Sequence, residues 1–281
     1  MSGKTGWEEL GSVAPDELED TRLQLHWAAQ LLGSFAEARV EPEEDFGHLA
    51  LTVASGARRL VGARGRGGHV VALALAAGEV VVETPDGGSS TFALEGRTLA
   101  EALAWLDEST RGEEEGALAL SPPDDMPEHG VGKGEPFALD LAAAAELERW
   151  FVSFAGLLEE ERAKHAGAAP LRLWPHHFDL ATLIVLDPDK SSEEARSIGL
   201  GLSPGDGAYD VPYLYVTPWP YPSPEGLPVL EAGGRWHVEG WVGATLSSLR
   251  LATAADGEEQ EHQVREFLAS ALPAALSLLD A

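Results

Sequence analysis

Cysteine is absent from the 281 residues, which excludes disulfides, thiolate zinc sites and cysteine nucleophiles and leaves histidine and carboxylates as the only strong metal ligands. Asparagine is missing too, and lysine is scarce beside arginine. That bias points to GC-rich coding rather than to chemistry. There is no run of about 18 apolar residues, and Met1 to Trp7 lack the basic start and apolar stretch of a secretory leader. The expectation is a soluble, cytoplasmic protein. Basic residues are few, 19 against 47 acidic, for a net charge of -28. Such a field repels phosphate backbones and anionic bilayers, so neither nucleic acid nor membrane is an expected partner.

What is present suffices for a large core, since 44% of the residues are hydrophobic. The pattern predicts an α+β fold of two helix-sheet-helix halves with mainly antiparallel sheets. Residues 1–110 form the first half, 111–137 an acidic Pro/Gly-rich linker and 138–281 the second half. Pro15 opens a helix with Leu18, Leu25, Ala28, Leu32 and Phe35 on one stripe. Strand-like segments follow to Thr84, the Asp86-Gly87-Gly88 turn signals a hairpin, and Thr98 to Glu101 fits a capping box. In the second half a long helix spans about 139–165. After it come a strand at 176–186, a helix start at Ser191-Ser192-Glu193-Glu194, strands at 212–217 and 236–246, and a last helix that Pro273 should kink or break. The order helix, strands, helix occurs twice, which an internal duplication would explain as well as chance does. Short turns motivate antiparallel pairing, because parallel strands need long crossovers.

Chemistry concentrates in Trp174-Pro175-His176-His177-Phe178-Asp179, at the start of an apolar run. Residues two apart share a strand face. His177 with Asp179, and His237 with Glu239 and Trp241, therefore point together, as do Tyr213, Tyr215 and Trp219. If those faces coincide, His177, Asp179, His237 and Glu239 are candidate catalytic groups, a carboxylate orienting an acid/base imidazole. Tyr213, Tyr215, Trp219 and Trp241 would then bind a small organic ligand. Three readings stay open: a structural cluster, a metal-free pocket, and a divalent metal site built from His177, Asp179, His237 and Glu239. No helical His-x-x-x-His pair supports the last, and no cofactor is implied.

Two strings are rejected on physical grounds. Gly201-Leu202-Ser203-Pro204-Gly205 matches the serine-hydrolase G-x-S-x-G, but Pro204 has no N–H for an oxyanion hole and a strand follows where a helix is required. Ser203 to Gly207 reads as a tight turn. Gly62 to Gly68 looks like a phosphate loop but leads into a strand, so it reads as a hairpin tip, although Arg58, Arg59, Arg64 and Arg66 could meet an anion. A competing function is a protein-interaction module presenting Trp219-Pro220-Tyr221-Pro222 and the acidic loop from Glu113 to Asp125. Dimerisation through an uncovered sheet edge is left open.

Leu25-His26-Trp27-Ala28-Ala29-Gln30, Trp174 with Phe178-Asp179-Leu180-Ala181, and Gly201 to Gly205 followed by Tyr213-Leu214-Tyr215-Val216 carry a resemblance. Over about 21–272 the chain resembles a bacterial domain-of-unknown-function family, the one numbered 5996. The resemblance implies a cytosolic bacterial protein and carries over no activity, cofactor or catalytic residue.

Overall fold

The computed structural model describes residues 6–112, 116–191 and 193–280. The first five residues of the amino-terminal reading, the Glu113-Glu114-Glu115 run and Ser192 of the expected helix start lie outside the described residues. The fold is α+β, with two mainly antiparallel sheets, and it divides into two compact units. One comprises 17–148 with 172–179. Of the described residues, the other comprises those within 6–16, 149–171 and 180–280.

In the first unit, α1 (Glu19–Arg39) follows a single 3-10 turn begun by Pro15, so the helix starts a few residues later than the proline. It is buried on nearly every side, Gln24, His26, Gln30 and Ser34 included. Buried polar groups must find partners. Gln24 exchanges two hydrogen bonds with the backbone of Ala138, at 3.0 and 2.8 Å, and Ser34 donates to the Gln30 carbonyl at 2.9 Å. The orphan carbonyls at the end of α1 are met by Arg66, whose N–H reaches Arg39 O and whose guanidinium reaches Ala38 O and Val40 O at 2.7–2.9 Å. Arg58 pairs with Glu148 and Arg59 with Glu83. Of the arginines expected to offer a basic cluster, Arg58 and Arg59 are thus paired with carboxylates, Arg66 with carbonyls at the end of α1, and Arg64 donates to the Gly68 carbonyl of its own loop.

Five strands, β1 (Thr52–Ala54), β2 (Arg59–Val61), β3 (Val70–Ala74), β4 (Glu79–Glu83) and β5 (Ser89–Ala93), form an antiparallel meander in chain order. The expected turns hold them. Gly87 takes φ 86° in the β4–β5 turn, and the 62–68 loop closes at its tip through Gly65 N–H to His69 O. α2 (Leu99–Thr110) begins with the full Thr98/Glu101 capping box.

α3 (Leu141–Arg162) passes from the first unit into the second. β6 (Arg172–Trp174) lies in the first unit, where Leu173 bridges Leu51. In the second unit, β7 (Asp179–Val185), β8 (Ser197–Ser203), β9 (Tyr213–Trp219), β10 (Arg235–His237) and β11 (Gly243–Ser247) run in the order β10-β11-β9-β8-β7, every pair antiparallel. α4 (Ser248–Leu251) and α5 (Gly257–Leu279) complete it. Leu180, Ile184, Ile198, Leu200, Leu202, Leu214, Val216, Ala244 and Leu246 alternate onto one buried face. From α5, Val264, Phe267, Leu268, Ala271, Leu272 and Ala275 are buried.

Three expectations are corrected here. No helix starts at Ser191. The described segment is a turn, and Asp187 clamps it by accepting from the Arg196 backbone at 3.2 Å and from its guanidinium at 3.0 Å, which delivers the chain into β8. The expected single strand at 236–246 is a hairpin, because Gly240 at φ 84° turns the chain between β10 and β11. And α5 runs through Pro273, which sits on its exposed side while buried Ala271, Leu272 and Ala275 keep the helix packed.

Candidate functional site

The sheet of the second unit has a second face, set by the alternation that buries the first. Tyr213, Tyr215, Thr217 and Trp219 of β9 lie on it, opposite Ser203, Gly201, Gly199 and Ser197 of β8. The glycines have a physical use. A Cβ on Gly201 would lie 2.5 Å from the Tyr215 hydroxyl oxygen and 2.7 Å from the Leu180 carbonyl, so the phenol lies across a position that only glycine allows. Gly201→Ala is expected to displace Tyr215 and cost about 1–3 kcal/mol of overpacking, read as a lowered midpoint in denaturant unfolding.

The loop between β8 and β9 adds a second layer. Ser203 and Gly205 close the turn, Gly205 at φ 117° with its N–H on the Ser203 hydroxyl at 3.2 Å. Asp206 accepts the N–H groups of Ala208 and Tyr209 at 2.8 and 3.1 Å and also the Tyr213 hydroxyl. That Asx turn aims Tyr209 back over the sheet. Its ring lies 4.7 Å from that of Tyr213 and 5.5 Å from that of His237. Ser203 therefore works as a turn residue leading into β9, as the proline at 204 required.

His237 ends β10 with both ring nitrogens engaged. Nε2 is 2.7 Å from the Glu239 backbone carbonyl, and Nδ1 is 2.9 Å from the Tyr209 hydroxyl. A carbonyl can only accept, so in the neutral imidazole Nε2 carries the ring proton and Nδ1 accepts from Tyr209. Trp241 stacks on the imidazole, centroids 4.2 Å apart and planes at 25°. The indole also covers Gly243, next to the Thr217 hydroxyl. Hairpin geometry, not strand alternation, brings His237 and Trp241 together, and Glu239 serves through its backbone while its side chain is exposed.

Farther along the same face, Leu183, Glu193, Ser197, Gly199, Thr217, Trp219 and Tyr221 line a hollow of about 440 Å³. Trp219 lies there, against Tyr221.

His177 and Asp179 belong to the other unit. The expectation that they share a strand face fails because Pro175 to Phe178 is a turn, in which Phe178 takes φ 57° and β7 begins only at Asp179. The turn is held from α1. Gln30 donates to the Pro175 carbonyl at 2.6 Å, His26 Nε2 lies 3.2 Å from the His176 carbonyl, and the His26 ring stacks on buried Phe178 at 5.4 Å. The rings of His176 and His177 sit 4.2 Å apart and are exposed. Burial of His26 disfavours its charged form and lowers its pKa from 6.5 to about 4, with the positive charge of Arg22 adding to the effect. This segment, so prominent in the sequence, is a helix-to-turn lock. Among the described residues, no group of three or more His, Asp or Glu is placed to hold a metal ion.

Of the candidate residues, the second unit gathers Tyr213, Tyr215, His237 and Trp241. Sequence reasoning missed Tyr209, and its signal was the Asx turn at Asp206, read only as a loop feature.

A family model for a family of unknown function, DUF5996, matches residues 10–280. The chain belongs to that family. The match takes in every residue of the site just described, from Leu183 to Trp241. No curated protein and no solved structure matches the chain. No helix among the described residues is long and apolar enough to cross a membrane.

Proposed function

We infer that this DUF5996 member binds a small organic molecule beside the half-buried Tyr209, His237 and Trp241 of its second unit, with Tyr209 and His237 as an acid/base couple. One observation carries the reading: a Tyr-to-His hydrogen bond of 2.9 Å whose imidazole is fixed on its far side by a backbone carbonyl and covered by an indole. A polar couple beside aromatic surface is the usual makeup of a small-molecule site. In proton transfer, a ligand hydroxyl gives its proton to the Tyr209 oxygen as the Tyr209 proton passes to Nδ1. The products are a ligand alkoxide and an imidazolium whose Nε2–H stays on the Glu239 carbonyl. The charge of -28 supports a ligand other than nucleic acid.

Uncharged heteroaromatic fragments titrated into the full chain are the test. Hits are expected to lose about tenfold in affinity, roughly 1.4 kcal/mol, in Tyr209→Phe and in His237→Gln, because each variant breaks the couple while leaving the sheet core intact. Equal affinity for wild type and both variants contradicts the reading.

A further inference from the structure

We propose that the hollow lined by Leu183, Glu193, Thr217, Trp219 and Tyr221 is a binding site for an organic ammonium group, a primary or quaternary amine carried on a small molecule. The proposal is independent of the Tyr209–His237 couple and rests on different residues.

The hollow is built as a corner. The Trp219 and Tyr221 rings meet edge to face, with centroids 5.1 Å apart and planes at 85°, and form two walls at a right angle. Both stay open to solvent, at 41% and 45% exposure, and Leu183 beside them at 43%. Large aromatic rings gain free energy from burial, so two of them held at the surface around a concavity call for an occupant. Their orientation is fixed. Pro218, Pro220 and Pro222 restrict the backbone on either side of both rings, and the indole N–H donates to the Glu193 carbonyl at 3.3 Å. With its polar edge engaged, the indole offers only its π face.

Charge decides the class of occupant. A π face carries negative potential and attracts a cation. Among the described residues of the lining, Glu193 alone is charged, and it is acidic. The nearby cations Lys190 and Arg196 are spent on Asp187, and Arg196 on Asp280 as well. The chain as a whole stands at -28. Anionic ligands are therefore repelled. A neutral sugar would stack on the rings but gain nothing from the carboxylate. An ammonium group gains from both rings, from Glu193 and from the overall field, while its alkyl surface packs on Leu183. Because the hollow is open, the expected affinity is modest, with a Kd in the millimolar range.

Choline chloride and its uncharged isostere 3,3-dimethylbutan-1-ol, titrated separately into the full chain at constant ionic strength and followed by the Trp219 indole resonance, test this. Choline is expected to shift that resonance saturably and to bind at least about tenfold more tightly than the isostere. Tyr221→Leu, at an exposed position and with the Trp219 reporter kept, should abolish the saturable response, and Glu193→Gln should weaken it severalfold. Equal binding of the isostere would show a merely apolar site and overturn the proposal, as would the absence of any saturable choline response. The readout is Trp219 here and the Tyr209–His237 couple in the previous test, so either reading can fail without the other.

Discussion

Asp107→Ala is expected to lower the stability of the first unit by about 3–5 kcal/mol, the usual cost of leaving one member of a buried ion pair behind. The Arg39 side chain is 2% exposed and that of Asp107 11%. One carboxylate oxygen accepts from Arg39 and from the Leu118 backbone, the other from Arg111. Removing the carboxylate takes a charged acceptor from a buried guanidinium whose other acceptors include the Thr110 hydroxyl and the Asp107 carbonyl. A hydrogen bond to a neutral oxygen is weaker than one to a carboxylate in a poorly solvated site. The double variant Arg39→Met/Asp107→Ala should recover much of the loss, since an apolar replacement of the whole pair is often tolerated. Denaturant unfolding measures both, and a single-variant loss under about 1 kcal/mol would show that the pair is solvated after all.

The second large effect is a loss of stability in mild acid. His26 has a folded pKa of about 4 against 6.5 unfolded. Between those values the unfolded chain binds more protons, so stability rises with pH there. The contribution is complete above pH 6.5 and disappears progressively as the pH falls toward 4, by about 3 kcal/mol in total. Carboxylates held low by hydrogen bonds, such as Asp187 by Arg196 and Glu159 by Arg162, lose stability only at lower pH, below their ordinary range. His26→Gln can still donate to the His176 carbonyl but does not titrate. Its unfolding free energy should be lower than wild type at pH 7, through the lost stack on Phe178, and the two should converge as the pH falls from 6.5 to about 4. A constant offset between them across that window would place the acid sensitivity elsewhere.

The fold was legible where local chemistry decides it. Thr98 with Glu101, Asp86 with Gly87, and the apolar stripe of α1 each name their own structure. β8 was not, because Ser197-Ile198-Gly199-Leu200-Gly201-Leu202-Ser203 carries glycines that argue against a strand until the Tyr215 ring across Gly201 is seen. The His176-His177 pair misled for a similar reason. Two imidazoles in front of an apolar run look like a strand, and only the left-handed φ of Phe178, paired with the buried ring of His26 some 150 positions earlier, makes them a turn. The site was half legible. Aromatic alternation marked Tyr213 and Tyr215, but Tyr209 arrives through an Asx turn and Trp241 through the bend at Gly240. The Asx turn is not a periodicity, so no strand pattern could report Tyr209, and strand alternation named Trp241 although a hairpin bend is what brings it to His237.

The most direct test of the site is a proton–nitrogen correlation spectrum of the full chain during titration with uncharged heteroaromatic fragments. The expected result is that the Trp241 indole N–H and the His237 ring signals move together and saturate, while the indole of Trp150, buried at 2%, stays still. Fragments that bind and shift other resonances while Trp241 and His237 stay unmoved would contradict the assignment of this face as the functional site.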